Sequence, residues 1–357
     1  MSDWTYDLWC IPTADPGDVS GLRSRLAHVP EYEVLAIMGK TEGNGCVNDF
    51  SRTLAATAYG ALFADTDKRP LLIMSGGTAG VLSPHVTAFV RRPRRSDDRP
   101  GPALACGAAR TPDIPKAELG RMGQVEAVGR AVLDAMADAG IEQPRDVHFV
   151  QIKCPLLTDA DVVAARQAGV ALATDDTYLS MAYSRAASAL GVAVALGEID
   201  AAALTDDDIC ENWALSSSVA SISSGAELLD CEILLMGVST QVAGPLTVAH
   251  EVMENPIDAA AVVRMLESVG AGFPMTDTGR KRIRQIFAKA DPAGTVRGRR
   301  TTMLNDSDIH STRHARAAVG GVIAGITGEP MIYVSGGAEH QGPSGGGPIA
   351  VVAERSA

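Results

Sequence analysis

The pattern of apolar and polar positions repeats one arrangement of elements three times along the chain. An apolar run of strand type ends in Ser-Gly-Gly or a near equivalent in LLIMSGGTAG, VASISSGAEL and MIYVSGGAEH. The serines at these strand ends are Ser75, Ser223 and Ser335, and Ser224 stands where the first and third copies have glycine. The steps between the serines bracket one third of the chain, which predicts an internal threefold repeat.

A second shared feature is an arginine that opens an alanine-rich segment upstream of each serine. The segments SRTLAATAYG, SRAASALGVA and ARAAVGGVIA have helical spacing, and their arginines are Arg52, Arg185 and Arg316. Arg313 competes for the third place. Arg316 is preferred because the small residues after it match those of the second copy.

Farther upstream, each copy carries a lysine at the end of another apolar run. The runs VLAIMGK, VHFVQIK and QIFAK end at Lys40, Lys153 and Lys289. The order strand, loop, helix, strand predicts an α/β fold of three similar units around a pseudo-threefold axis. Such an axis would bring the three lysines, arginines and serines to one centre. The predicted units are residues 1–99, 106–243 and 249–357.

The segment MGKTEGNG, residues 38–45, also contains the Gly-Lys-Thr end of a phosphate-binding loop. The full pattern requires another glycine five residues before Gly39, and that position holds Val34. The sequence therefore disfavours a nucleotide site, and Lys40 is assigned to the threefold set instead.

Composition narrows the classes of function. The 357-residue chain is 46% hydrophobic with 36 glycines and few aromatic residues, which suits a tightly packed α/β protein. Its net charge of −12 argues against a nucleic-acid partner, because such proteins present a basic face. No apolar stretch reaches the length of a membrane span. The six cysteines form no CxxC pair, so we expect reduced thiols in a cytoplasmic protein.

The repeated lysine, arginine and serine point to a ring-shaped substrate with three similar polar edges. Arginine offers planar donors to carbonyl oxygens, and a Ser-Gly turn offers a hydroxyl group and a backbone N–H. A serine beside a lysine forms a nucleophile–base pair when burial near other cations lowers the lysine pKa. A non-catalytic binder of an anionic ring would use nearly all the same residues, so this alternative stays open.

Long motifs along the chain resemble those of the cyanuric acid hydrolase and barbiturase family. They are GKTEGNGCVNDFSR, SGGTAGVLSPH, QIKCPLLT, DTYLSMAYSRAASALG, LNDSDIHSTRHARA and SGGAEHQGPSGGGP. The resemblance implies three α/β units that form a central β-barrel with the helices outside, assembled as a homotetramer. It also implies hydrolytic opening of the s-triazine ring of cyanuric acid to carboxybiuret, which decarboxylates to biuret.

The resemblance further implies roles for individual residues. Only one dyad reacts in that family, and it corresponds to Lys153 as base and Ser223 as nucleophile. Lys40 and Lys289 complete the other two dyads. The residues implied to hold the substrate are Arg52, Ser75, Gly76, Arg185, Ser224, Arg316, Ser335 and Gly336.

Barbiturase is the alternative activity within the family, and it opens barbituric acid to ureidomalonate. One ring N–H of cyanuric acid is replaced by carbon in that substrate, so one third of a barbiturase site should depart from the repeated pattern. All three copies are complete here, and the third reads SGGAEHQGP. The sequence therefore favours cyanuric acid.

The resemblance implies no cofactor for catalysis, but it implies a structural Mg²⁺ or Ca²⁺ ion near the C-terminus. The family holds this ion with a glutamate two residues after the third lysine and with the Ala-Glu-His-Gln-Gly-Pro turn. Here Asp291 replaces the glutamate, in a segment shorter than the family form, and an aspartate oxygen also suits these ions. The other implied ligands are Ala338, Gln341, Gly342, Pro343 and Gly346.

Overall fold

The computed structural model of the chain describes residues 3–66 and 68–356. Within them the strands form three four-stranded sheets and one two-stranded hairpin. The first sheet and its helices are, in chain order, β1 (Trp4–Pro12), α1 (Ser20–His28), β2 (Glu33–Thr41), α2 (Phe50–Ala61), β3 (Leu71–Gly76) and β4 (His85–Pro93).

The second and third sheets follow along the chain with their own helices. The second comprises β5 (Ala103–Arg110), α3 (Met122–Ala139), β6 (Val147–Pro155), α4 (Asp159–Ala168), α5 (Thr177–Ala195), β7 (Ala220–Gly225) and β8 (Glu232–Ser239). The third comprises β9 (Leu246–Met253), α6 (Ala259–Ser268), α7 (Asp277–Arg282), β10 (Ile283–Ala290), the hairpin β11 (Thr295–Val296) and β12 (Arg299–Arg300), α8 (Ser311–Thr327), β13 (Tyr333–Gly336) and β14 (Gly347–Glu354).

All three sheets have the same strand order. It is β1-β4-β2-β3 in the first sheet, β5-β8-β6-β7 in the second and β9-β14-β10-β13 in the third. In each sheet the edge strand that ends in the Ser-Gly turn runs parallel to its neighbour, and the other pairs are antiparallel. A parallel pair requires a crossover connection, and the helices α2, α5 and α8 lie in these crossovers.

The α/β class expected from the sequence is confirmed, whereas a closed central barrel is not observed. Across residues 3–66 and 68–356, the strands remain in separate sheets with no ladder of backbone hydrogen bonds from one sheet to the next. The edge strands β3, β7 and β13 are only six, six and four residues long. Edges this short offer few backbone groups for pairing with a neighbouring sheet.

The sheets meet instead through buried side chains. The ring of Phe287 on β10 lies 5.8 Å from that of Phe89 on β4 and 5.6 Å from that of Phe149 on β6. Each of these three side chains is fully buried. One apolar core therefore joins all three sheets and fixes the relative positions of their serine-bearing edges.

Each sheet is built from one continuous stretch of chain. Strand β5 begins at Ala103 and β9 begins at Leu246, ahead of residues 106 and 249, where the second and third units are expected to begin. Division of the chain at those residues stays a prediction. No helix in the described part of the chain is both long and apolar enough to cross a membrane.

Candidate active site

The backbone register places each predicted lysine directly opposite a predicted serine. The two residues lie on the parallel strand pair of the same sheet in all three cases. Matched positions on adjacent strands point to the same face of a sheet, so each pair of side chains meets there. The pairs are Lys40–Ser75, Lys153–Ser223 and Lys289–Ser335.

The three lysines are the most deeply buried charged groups of the site. Lys40 is 1% exposed, and Lys153 and Lys289 are 0% exposed. Burial lowers the pKa of all three amines, and for Lys40 and Lys289 the pKa lies well below its ordinary value. Neighbouring cations add to the effect: Arg316 acts on Lys40, and Arg185 acts on Lys289. The pKa condition for a lysine base is therefore met in this cluster.

The first and third dyads are closed by hydrogen bonds. Lys40 Nζ donates to Ser75 Oγ at 3.1 Å, and Lys289 Nζ donates to Ser335 Oγ at 3.1 Å. Lys40 also lies over the ring of Tyr333, with Nζ 5.4 Å from the ring centroid. Both serines are thus held by the lysine of their own sheet.

The second dyad is arranged differently. Lys153 Nζ lies 3.1 Å from Glu227 Oε1 and makes no hydrogen bond to Ser223 Oγ within the described residues. Ser223 Oγ accepts instead from Gln151 Nε2 at 3.4 Å. The Ser223 hydroxyl is therefore the one that its own lysine does not hold.

Two of the lysines also tie their sheets to the preceding one. Lys153 Nζ donates to the carbonyl oxygen of Met74 at 2.6 Å, and Lys289 Nζ donates to that of Ile222. Each carbonyl belongs to the residue directly before a site serine. A lysine of one sheet therefore helps to fix the serine-bearing edge strand of another.

The arginines reach from their helices to the Ser-Gly turn of a different sheet. Arg52 on α2 donates to the carbonyl oxygen of Ser224 at 2.7 Å. Arg185 on α5 forms a two-point ion pair with Glu339, with both N–O distances at 2.7 Å. A Cβ added at Gly337 would lie 2.8 Å from the Arg185 guanidinium, so only glycine permits this approach.

Arg316 on α8 completes the set. A Cβ added at Gly77 would lie 2.4 Å from its guanidinium, and one added at Gly336 would lie 2.9 Å from it. Its Nε and Nη2 atoms are buried and have no hydrogen-bond partner among the described residues. Burial, with a contribution from Arg313, lowers the Arg316 pKa to about 10. Arg313 itself is exposed. A buried guanidinium with free donors is suited to bind an oxygen-rich ligand.

Two carboxylates pair with the predicted cations of the site, and they were not predicted from the sequence. Glu227 and Glu339 each stand four residues after a site serine, in SSGAE and SGGAE. The first copy reads SGGTA and has no acid there. The shared Ala-Glu pair was a visible signal, but a glutamate after a turn is ordinarily solvated. Here both side chains are largely buried and pair with site cations.

The turn that carries most of the candidate metal residues contacts Asp291 just after β10. Asp291 Oδ2 accepts from the backbone N–H of Gly345 at 2.9 Å, and burial raises the pKa of this carboxyl group to about 6. The carbonyl oxygens of Ala338 and Pro343 accept backbone bonds within the turn. The described part of the chain has no group of three or more His, Cys, Asp or Glu positioned to hold a metal.

The same turn also braces the second sheet. Gln341 Oε1 accepts from the backbone N–H of Ile222 at 2.7 Å, directly before Ser223 on β7. His340 accepts at Nε2 from the backbone N–H of Cys210 at 2.9 Å. Gln341 therefore holds the backbone of β7 through its side chain, a contact that the sequence did not indicate.

Comparison with known proteins places this geometry in a family. A family model described as "Amidohydrolase ring-opening protein" matches residues 7–354. The chain belongs to this family. Among the relatives of these ring-opening amidohydrolases, the cyanuric acid amidohydrolase of Pseudomonas sp. (strain ADP) is 49% identical over 360 residues, which cover 97% of this chain and 98% of the relative. That of Pseudonocardia dioxanivorans is 52% identical over 347 residues, covering 95% and 96%.

Solved structures of this ring-opening amidohydrolase family superimpose on the whole chain. One structure of a cyanuric acid hydrolase gives a TM-score of 0.94 at 48% identity and covers 99% of this chain and 100% of the other. The crystal structure of the A. caulinodans enzyme gives 0.92 at 49% identity, with the same coverage. The family resemblance inferred from the motifs is confirmed, and the protein is a hydrolase acting on a cyclic amide.

Proposed function

We propose that this ring-opening amidohydrolase hydrolyses cyanuric acid to carboxybiuret, which decarboxylates to biuret. The observation that carries the proposal is the repeated Lys–Ser register, in which three buried pairs arise from the same parallel strand arrangement. Relatives named cyanuric acid amidohydrolase share about half of the sequence over nearly its full length.

A site with threefold form would match the threefold form of that substrate. Cyanuric acid has three equivalent carbonyl groups separated by three ring nitrogens. The equal strand order of the sheets and the reach of each arginine into another sheet's turn support a pseudo-threefold arrangement of the chain. The donors for the ring oxygens are then Arg52, Ser75, Gly76, Arg185, Ser224, Arg316, Ser335 and Gly336.

In the proposed reaction, Lys153 is the base and Ser223 is the nucleophile or holds the attacking water. The oxygen of the attacked carbonyl becomes negatively charged as the new C–O bond forms. Hydroxyl and backbone donors of the Ser-Gly turns, together with the guanidinium groups, stabilise this charge. Lys40 and Lys289 keep Ser75 and Ser335 in place as donors, since each lysine is bonded to its own serine.

A side-by-side assay with cyanuric and barbituric acids tests the proposed function. We expect cyanuric acid to be consumed with formation of biuret, and barbituric acid to be turned over poorly, because its CH₂ edge cannot match a complete third copy of the site. Substrate loss and product formation are followed by liquid chromatography.

Each alternative has its own outcome in the same assay. Turnover of barbituric acid alone would make the protein a barbiturase. A rise in melting temperature with cyanuric acid, but no product from either ring, would instead support a non-catalytic binder.

We also propose that Asp291 and the turn from Ala338 to Gly346 hold a structural Mg²⁺ or Ca²⁺ ion. Asp291 offers a largely buried carboxylate next to the turn, and carboxylate and carbonyl oxygens are the ligands that these ions prefer. The further ligands would be the carbonyl oxygens of Gln341, Gly342 and Pro343. The ion would hold the turn that Gln341 uses to brace β7 and would take no part in the chemical step.

Thermal unfolding tests the metal proposal independently of activity. We expect chelator treatment to lower the melting temperature by several degrees and Ca²⁺ or Mg²⁺ to restore it, because an ion bound only by the folded state stabilises that state. Asp291→Asn keeps the size of the side chain and should remove the response. An equal response in the Asp291→Asn variant would contradict the assignment.

Other expectations from the sequence remain predictions. The family resemblance implies a homotetramer, and composition implies a cytoplasmic protein without a nucleic-acid partner.

A further inference from the structure

The three site lysines differ in the charge that faces them. Of the three, only Lys153 forms an ion pair with a carboxylate in the described part of the chain, and its partner is Glu227 at 3.1 Å. Lys40 and Lys289 are bonded to serine hydroxyls and backbone carbonyls. We infer that Glu227 is the positioning residue that makes Lys153, rather than Lys40 or Lys289, the base of the reaction. This inference rests on the proposed function.

A nearby carboxylate can select one lysine as the base because it raises the pKa of a buried amine. Burial without a countercharge lowers the pKa of an amine. An amine whose pKa is too low is too weak a base to take a proton from a hydroxyl group. Burial and neighbouring cations lower the pKa of Lys40 and of Lys289, and neither amine has a carboxylate at ion-pair distance among the described residues. For Lys153, burial also lowers the pKa, but Glu227 opposes the shift. Lys153 is thus the site lysine that combines a buried amine with a direct anionic partner.

The other charged groups around Lys153 do not replace this partner. Arg52 on α2 lowers the Lys153 pKa, and the neighbouring Cys154 thiol acts weakly in the opposite direction. Glu232 is the backbone partner of Lys153 on β8, but its carboxylate is engaged by Arg110 at 2.6 Å. Glu227 is therefore the carboxylate that pairs with Lys153 and raises its pKa.

The turn after β7 leaves space for the Glu227 carboxylate beside its backbone. A Cβ added at Gly225 would lie 2.2 Å from a carboxylate oxygen of Glu227, so a side chain there would displace the acid. The other oxygen, Oε1, is buried, lies 3.1 Å from Lys153 Nζ and accepts no other hydrogen bond from residues 3–66 and 68–356. Ser223 lies four residues earlier on the same segment, so one turn carries both the serine and the countercharge.

Ser223, Lys153 and Glu227 together account for each proton transferred in the ring-opening step. Ser223, or the water that it holds, gives its proton to the neutral amine of Lys153 as its oxygen bonds to the ring carbon. The electron pair of the C=O bond moves onto the carbonyl oxygen. The ammonium group that forms is stabilised by Glu227. The electron pair on the carbonyl oxygen re-forms the C=O bond as the ring C–N bond breaks, and the leaving nitrogen takes the proton from Lys153, so that the amine is neutral again. Where Ser223 itself attacks, a water molecule then cleaves the acyl-serine, giving its proton to Lys153, which returns it to the Ser223 oxygen.

The pH dependence of kcat/KM for cyanuric acid tests the role of Glu227. Activity should rise with pH as Lys153 loses its proton. Glu227→Gln keeps the size of the side chain but removes the charge that raises the Lys153 pKa. On the high-pH plateau of the profile, kcat/KM of the variant should therefore be about 100-fold lower. The acid limb, where kcat/KM rises with pH, should lie at lower pH than in the unmodified protein. Glu227→Asp should restore part of the plateau value of kcat/KM and move the acid limb back towards its position in the unmodified protein.

Glu339→Gln is the matched control, because Glu339 has the same place after Ser335 but pairs with Arg185. It should raise KM and leave the acid limb where it is in the unmodified protein. An unmoved limb in Glu227→Gln, or an equal movement in Glu339→Gln, would overturn the inference. The unmodified protein is measured alongside, and its failure to open cyanuric acid would refute the proposed function itself.

Discussion

Replacing Ser223 by alanine should reduce kcat for cyanuric acid by about 10⁴-fold or more, the scale seen when a nucleophile is removed from a hydrolase. Ser75→Ala and Ser335→Ala should each cost about 100- to 1000-fold, the effect of losing one donor to a developing oxyanion. The difference follows from the hydrogen bonds. Lysines hold Ser75 and Ser335, whereas the Ser223 hydroxyl is not held by Lys153.

The three serines make a closely matched set for this comparison. Each is buried, ends an edge strand and faces a lysine in the same register. Equal losses of kcat in all three variants would refute the special role of Ser223. Mass spectrometry of the intact protein, quenched during turnover, then distinguishes the two routes: a covalent adduct on Ser223 means direct attack, and an unmodified chain means attack by water.

Replacing Lys153 by methionine should abolish turnover and also lower the free energy of unfolding by about 3–5 kcal/mol, as when one partner of a buried ion pair is removed. The cause of the instability is the carboxylate of Glu227, which stays largely buried without its countercharge. The double variant Lys153→Met, Glu227→Gln should regain most of the stability but none of the activity. Urea unfolding, together with the cyanuric acid assay, measures both effects.

Lys40→Met is the control for this prediction. Lys40 is equally buried but has no ion-pair partner in the described residues, so its replacement should cost less stability than that of Lys153. A double variant at positions 153 and 227 that is as unstable as Lys153→Met alone would show that packing, and not the ion pair, determines the loss.

Much of the site could be predicted because its residues occur at the ends of apolar runs. A lysine that ends one strand and a serine that ends the next are bound to meet if the strands are parallel and in register, as Lys153 and Ser223 are. The preference for Arg316 over Arg313 rested on the small residues after it. Small residues let a helix lie close to its neighbours, and the structure buries Arg316 and exposes Arg313.

Other features depend on distances between sheets, which local patterns do not contain. No local pattern predicts that Arg52 reaches the turn of the second sheet, or that Lys153 contacts Glu227 in place of Ser223. A closed barrel was expected from the family resemblance alone. Whether edge strands join depends on their length and relative orientation, and a strand of four residues such as β13 has little to pair with.

The contacts of Lys153 with Met74 and of Lys289 with Ile222 have a consequence for dividing the chain into fragments. Both lysines satisfy their donors on backbone that lies far away in sequence. A fragment containing only the second or only the third sheet would therefore expose the apolar side chains that pack between sheets, together with an amine that has lost one of its acceptors. Fragments produced by cutting between β4 and β5 would have to reassociate before any of them could bind a substrate.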